Sequence, residues 1–337
     1  MKLTEEEKRF YFQWHFLERC NLRCSHCYQE GYESRELDES QLLDIAKIME
    51  QTLKKWKRSG RVSLTGGEPF LRKDLLMLLM NFFENSDTFY WIGILSNGTL
   101  VDEEIVSRMK RISKLKEIQI SLDGASAQSH DRQRGDGSFE KAVQALKLLK
   151  RNDFTTSIMF TLHKRNLDEA EKIIDLAAGL DVDFLTIERM VPFSKNDMNE
   201  FYLEPEALRN IYERIWAKKK AVENKKNLKI RVSRPLWGII DDSAGGFCPA
   251  GFSSLSILHD GTVLPCRRLP IPIGNILQGG LFKIWYTSKV LWKLRNKENL
   301  GPKCSKCDLL GKCGGCRAIA YGVNGDFMAD DPQCWKR

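Results

Sequence analysis

The 337-residue sequence contains no run of 18 consecutive apolar residues, the length a helix needs to cross a bilayer. It also lacks an apolar stretch near the amino terminus, where Met1 to Arg9 reads MKLTEEEKR. No secretory signal and no membrane partner are therefore expected, and the expected location is the cytoplasm. Thiols stay reduced there and disulfides are rare, so the ten cysteines read as metal ligands rather than bridges. Cysteine is absent from a long central stretch. None stands between Cys27 and Cys248, which leaves three near the start and seven from Cys248 onward. No carboxylate or tyrosine stands out as an acid or base, so the catalytic residues are unassigned. Acidic residues are outnumbered, 45 against 53 basic, for a formal charge of +8. Three cubanes on thiolates would lower that to about +3 on ligation arithmetic. The basic balance is thus a weak pointer to a polyanion, and nucleic acid is not an expected partner. The lysine run at 218, 219, 220, 225, 226 and 229 reads as a solvated helix face.

What is present is an alternation. Strand-like runs at Tyr11–Glu18, Arg61–Leu64, Tyr90–Leu95, Ile118–Leu122, Thr155–Leu162 and Phe184–Ile187 are separated by helix-like segments. Those begin near Asp38, Asp74, Asp102, Ser138 and Leu167, with a long loop between Leu122 and Ser138. Six strands alternating with helices predict a parallel sheet with helices outside, an α/β fold whose ligands bind at the strand C-terminal ends. One further helix is expected from Pro205 to Val222, and the repeat ends near Ile230. The remainder is turn-rich and cysteine-rich, the composition of a unit held together by metal.

Cys20, Cys24 and Cys27 lie in one short loop after the first strand. Three thiolates leave one iron of a four-iron cluster without a local ligand, a position where a small molecule can bind. A structural zinc site with His26 as fourth ligand is the alternative from spacing alone.

Joined to Gly66-Gly67-Glu68-Pro69 after the second strand, and to Ser121-Leu122-Asp123-Gly124 with His130, Asp131 and Arg134 beyond the fourth, this loop resembles that of the radical S-adenosylmethionine (SAM) enzymes. The later cysteines resemble their SPASM domain. The resemblance implies a partial (β/α)6 TIM-type barrel over residues 1–195, a helical bridge over 196–235 and a small iron–sulfur SPASM domain over 236–337. It implies a SAM-binding [4Fe–4S] cluster on Cys20, Cys24 and Cys27 that cleaves SAM to a 5′-deoxyadenosyl radical. His26 is expected near the adenine, Gly66, Gly67 and Glu68 at the SAM ammonium, and Ser121 with Arg134 at its carboxylate and ribose. Arg132 is an alternative to Arg134. Val191 is either a backbone contact to adenine or an ordinary core valine. Two auxiliary clusters are implied: a [4Fe–4S] cluster closed by Cys304, Cys307, Cys313 and Cys334, and another held by Cys248, Cys266 and Cys316 with incomplete cysteine ligation. Asp241, Asp242 and His259 are candidate additional ligands. The family pattern has three residues where this chain has two between Cys313 and Cys316.

The expected activity is an oxidoreductase modifying a peptide or protein side chain, supplied with electrons by an external donor of ferredoxin or flavodoxin type. The alternative within the family is action on a tetrapyrrole in a haem-pathway branch. A non-catalytic electron carrier or zinc-binding adaptor is the alternative from another class, and it leaves Gly66–Pro69 and Ser121–Arg134 without a purpose.

Overall fold

The computed structural model describes residues 8–29, 31–32, 36–224 and 226–336. Residues 1–7 of the charged amino-terminal stretch and Lys225 of the lysine run lie outside them. The predicted alternation forms. Strands β1 (Arg9–His15), β2 (Ser59–Thr65), β3 (Phe89–Ser96), β4 (Leu115–Ser121), β5 (Thr156–Leu162) and β6 (Phe184–Arg189) pair in chain order, all parallel. Helices α1 (Glu39–Trp56), α2 (Lys73–Glu84), α3 (Glu103–Met109), α4 (Ala127–Arg134), α5 (Ser138–Arg151) and α6 (Lys172–Gly179) fall between them.

Local chemistry sets several of these ends. The Asp38 carboxylate accepts from the Gln41 N–H at 2.9 Å while the Gln41 side chain accepts from the Asp38 N–H at 3.2 Å, a reciprocal cap that starts α1. Asp102 caps α3 in the same way, accepting from the Ile105 N–H at 3.0 Å. Phe10, Phe12 and Trp14 of β1 are buried, as are Leu42, Ile45 and Met49 of α1.

Two differences alter the plan. The loop expected between Leu122 and Ser138 contains α4, whose inward residues are the polar His130 and Gln133. The helix expected from Leu167 starts instead as a 3-10 turn over Lys164–Glu169, and α6 begins only at Lys172. Asn166 leaves helical geometry there because its side chain accepts from the His163 N–H at 2.9 Å and donates to the Thr161 carbonyl at 2.9 Å.

The sheet also continues past the repeat. After α7 (Lys195–Phe201) and α8 (Pro205–Glu223, with Pro205 in its first turn), β7 (Lys229–Arg231) adds in parallel to β6. At the other edge β8 (Ser254–Ile257) adds in parallel to β1, and β9 (Thr262–Leu264) and β10 (Gly274–Asn275) follow antiparallel. The result is one open ten-stranded sheet, β10-β9-β8-β1-β2-β3-β4-β5-β6-β7, that does not close on itself. The cysteine-rich segment thus joins the barrel sheet through β8 and brings its thiols toward the end of β1. On α8, Lys218, Lys219 and Lys220 pair with Asp175, Glu223 and Asp241, which fits a solvated face. Among the described residues no helix is long and apolar enough to cross a membrane.

Candidate active site

The C-terminal ends of the strands border a cavity of about 390 Å³. Cys20, Cys24 and Cys27 stand on its wall, in the loop that leaves β1. That loop is held against the loop after β2 by backbone: the Gly67 N–H donates to the Leu17 carbonyl at 3.1 Å and the Glu68 N–H to the Arg19 carbonyl at 2.9 Å. The approach requires glycine. A Cβ on Gly66 would lie 2.5 Å from the Leu17 oxygen, and one on Gly67 would lie 2.3 Å from the Arg19 oxygen. Both glycines line the cavity, but the space freed by their missing side chains is filled by the cysteine loop.

Glu68 is placed differently from its neighbours. Its side chain is fully buried behind the wall, accepting from the Phe70 N–H at 3.1 Å, the Ser96 hydroxyl at 2.8 Å and the Asn97 N–H at 2.8 Å. Burial pushes its carboxyl up to about 7 against the pull of those hydrogen bonds. Glu68 therefore positions the turn after β3. From that turn Asn97 reaches the cavity and donates to Asn21 at 3.0 Å, within the cysteine loop.

Asp123, beyond the end of β4, is fully buried and organises the far wall. It accepts from the Arg134 Nε at 2.5 Å and the Thr161 N–H at 2.8 Å, and lies 3.1 Å from the His26 Nε2. Burial alone would raise its carboxyl, but Arg134 and then His26 hold it well below the usual carboxylate range. His26, Ser121, Arg134 and Val191 all line the cavity. Arg132 is exposed and off the wall, whereas Arg134 lines it. The His26 Nδ1 is buried without a hydrogen-bond partner.

The donor set fits an iron–sulfur cluster. The Cys20 Sγ accepts from the Leu22 N–H and the Cys27 Sγ from the Gln29 N–H, each at 3.4 Å. Burial is the main reason the Cys20 thiol is pushed up to about 11, so a cationic centre is needed to hold it as thiolate. Among the described residues no three His, Cys, Asp or Glu side chains close on a single-ion position. The three thiols instead share one wall of a cavity, where soft thiolate ligands suit iron. A SAM molecule would find there the orphaned His26 nitrogen and the Arg134 guanidinium.

The seven later cysteines separate into two sets. Cys248, Cys266 and Cys316 line the same cavity, whereas Cys304, Cys307, Cys313 and Cys334 do not. The Cys248 thiol is pushed up to about 12, first by burial and then by Cys266 and Cys316 beside it. The two-residue spacing has a local explanation. Gly314 and Gly315 both take positive φ, 75° and 67°, a conformation that costs glycine little. The turn lets Cys313 face away while Cys316 faces the cavity. None of Asp241, Asp242 and His259 is on the cavity wall. Asp241 accepts from the Ser243 N–H and hydroxyl, and His259 lies 3.9 Å from Glu18.

Sequence reasoning found Arg134 and passed over the other arginines of the cavity. Arg134, Arg189, Arg234, Arg267, Arg268 and Arg317 line the cavity, with Glu188 as the one acidic residue on the wall among the described residues. Arg189 makes a two-pronged pair with Asp331 at 3.1 and 2.9 Å, tying the end of β6 to the C-terminal tail. Glu188 pairs with both Arg234 and Arg268, the latter at 3.0 Å.

Comparison with known proteins agrees with this geometry. The model of the radical SAM superfamily matches residues 14–177, and that of the SPASM iron–sulfur cluster-binding domain matches residues 248–308. An AdoMet-dependent heme synthase of Methanosarcina barkeri is 30% identical over 341 aligned positions, covering 95% of each chain. One from Nitratidesulfovibrio vulgaris is 28% identical, covering 95% of this chain and 90% of its own. Among solved structures, Streptococcus suis SuiB bound to S-adenosylmethionine superposes with a TM-score of 0.77 at 16% identity, covering 97% of this chain and 77% of that one. The enzyme anSMEcpe with bound AdoMet and a peptide gives 0.72 at 19% identity, covering 92% and 90%. At those identities the superpositions speak for the fold. The two domains imply SAM and iron–sulfur clusters as cofactors, and the chain is an enzyme of the radical SAM superfamily with a SPASM domain.

Proposed function

We propose that this enzyme acts on a tetrapyrrole that carries carboxylates, in the formation of haem. The observation that carries the reading is the cavity itself, which both cysteine triads line together with six arginines and, among the described residues, one glutamate. A guanidinium fork matches a carboxylate, and on this wall Arg267 and Arg317 have no carboxylate partner among the described residues. The heme synthases that resemble the chain over 95% of its length support the same substrate class. The peptide expected from sequence becomes the second reading, since SuiB and anSMEcpe share the fold at under 20% identity.

In this reading Cys20, Cys24 and Cys27 would hold the [4Fe–4S] cluster that binds SAM. When bound and reduced, that cluster supplies the electron that splits SAM into methionine and a 5′-deoxyadenosyl radical. Arg134 is fixed through Nε on Asp123 and through Nη1 on the Cys24 Sγ at 3.8 Å, which leaves Nη2 for the SAM carboxylate, with Ser121 on the same wall. His26, held by Asp123, presents its unpartnered Nδ1 toward the adenine. Gly66 and Gly67 offer backbone groups to the ammonium, and Glu68 holds the turn behind them. Cys248, Cys266 and Cys316 would hold an auxiliary cluster facing the substrate, and Cys304, Cys307, Cys313 and Cys334 a second one behind it. Residues 1–195, 196–235 and 236–337 serve as barrel, bridge and SPASM units joined by one sheet.

The test is anaerobic incubation of the iron-reconstituted enzyme with SAM, dithionite and carboxylated tetrapyrrole precursors, followed by mass spectrometry. A SAM-dependent mass change in a tetrapyrrole is the expected result. Turnover of a co-expressed peptide, with every tetrapyrrole unchanged, would establish the second reading instead.

A further inference from the structure

Of the six arginines on the cavity wall, most have their charge answered within the chain. Arg134 pairs with Asp123, Arg189 with Asp331, and Arg234 and Arg268 share Glu188. Arg317 donates through one terminal nitrogen to the carbonyls of Phe327 and Ala329, at 3.0 and 2.7 Å, and borders Cys304. Arg317 has no carboxylate partner among the described residues, and its Nε and Nη2 are buried without a hydrogen bond, but its Nη1 is committed to those two carbonyls. Arg267 has no hydrogen bond to any described residue to hold it. Among the described residues it has no carboxylate partner within ion-pair distance, and its Nε is buried without a hydrogen bond. Its guanidinium lies over the Tyr28 ring, 4.2 Å from the centroid.

That stacking decides what Arg267 can do. A guanidinium on an aromatic face uses its own face for the contact, which leaves the N–H edges free in the plane. The ring that supports it belongs to the residue after Cys27, and Arg267 itself follows Cys266. Arg267 therefore adjoins a cysteine of each triad, Cys266 through its own chain and Cys27 through Tyr28, so a group that it holds lies near both. A charged group partly removed from water is costly without a counter-charge. Tyr28 and Phe193, whose ring centroids are 6.3 Å apart, add flat apolar surface next to it on the same wall.

We propose that Arg267, stacked on Tyr28, receives a side-chain carboxylate of the substrate and so sets its position near both triads. The proposal rests on the tetrapyrrole reading above.

The test is an absorbance titration of the reconstituted enzyme with haem, which has two carboxylates, and with haem dimethyl ester, which has none ionised. Wild type, Arg267→Lys and Arg267→Gln are compared at equal iron content. Arg267→Gln is expected to weaken haem binding by about tenfold or more, the scale of a lost charge-assisted pair. Arg267→Lys, which keeps the charge and loses the fork, should fall between. The three proteins should bind the ester alike. Equal haem binding by wild type and Arg267→Gln would overturn the proposal, as would an equal loss for haem and ester, which would assign Arg267 to packing alone. In both cases a wild type that binds haem leaves the tetrapyrrole reading standing. A wild type that binds neither compound would overturn that reading and the Arg267 assignment together.

Discussion

Glu188 offers a quantitative test of how the cavity wall is held. Its side chain is 11% exposed and pairs with Arg234 and Arg268. Two effects compete there: burial raises the carboxyl, while Arg234 and then Arg268 lower it, and the arginines win, bringing it down to about 2. Against an unfolded value of about 4.3 the difference corresponds to about 3 kcal/mol. The Arg234 side chain is 43% exposed and that of Arg268 26%, so solvent screens part of this and about 2 kcal/mol is expected overall. A double-mutant cycle of Glu188→Gln with Arg268→Gln isolates one pair. The coupling should be about 1–2 kcal/mol at pH 7, read by anaerobic urea unfolding of the loaded enzyme. A carboxylate with a depressed folded pKa stabilises above its unfolded value and loses that contribution as pH falls through the folded one. The coupling should therefore be unchanged at pH 5. A coupling that is small at pH 7 and gone at pH 5 would mean that burial had won, and the reasoning about the arginine-lined wall would fail with it.

Other consequences are direct. Gly67→Ala would place a methyl 2.3 Å from the Arg19 oxygen and 2.4 Å from the Glu18 oxygen; it should cost about 2–3 kcal/mol by overpacking and impair loading of the first cluster, read by unfolding and iron analysis. Cys24→Ala should abolish 5′-deoxyadenosine formation while the auxiliary iron remains; product formation by that variant would refute the cluster assignment. Cys304→Ala should lose iron equivalent to one cluster, and full iron retention would refute the grouping with Cys307, Cys313 and Cys334.

Much of the fold was legible because each of the six strands carries a short apolar cluster, as in Phe89–Ser96, and helices between them start with Asp caps, as at Asp38 and Asp102. Helix α4 was missed because its inward residues are His130 and Gln133, which leave no apolar period to read. β7 and β8 are three and four residues long, and the partner of β8 is β1, some 240 positions earlier in the chain. No local pattern announces such a pairing. The cysteines and glycines of the site stood out because their spacing is itself the chemistry. The Asp123 contacts and the Glu188, Arg234 and Arg268 cluster did not, because charged residues scattered along a sequence look like surface until the fold gathers them.

The central claim is that a radical generated at the Cys20–Cys27 loop acts on a tetrapyrrole in the shared cavity. It is tested most directly by quantifying 5′-deoxyadenosine from the reconstituted enzyme with SAM and dithionite, with and without a carboxylated tetrapyrrole precursor. The account predicts that the precursor accelerates 5′-deoxyadenosine release and is itself consumed in step with it. Release that ignores the precursor, or leaves it unaltered, would contradict the account.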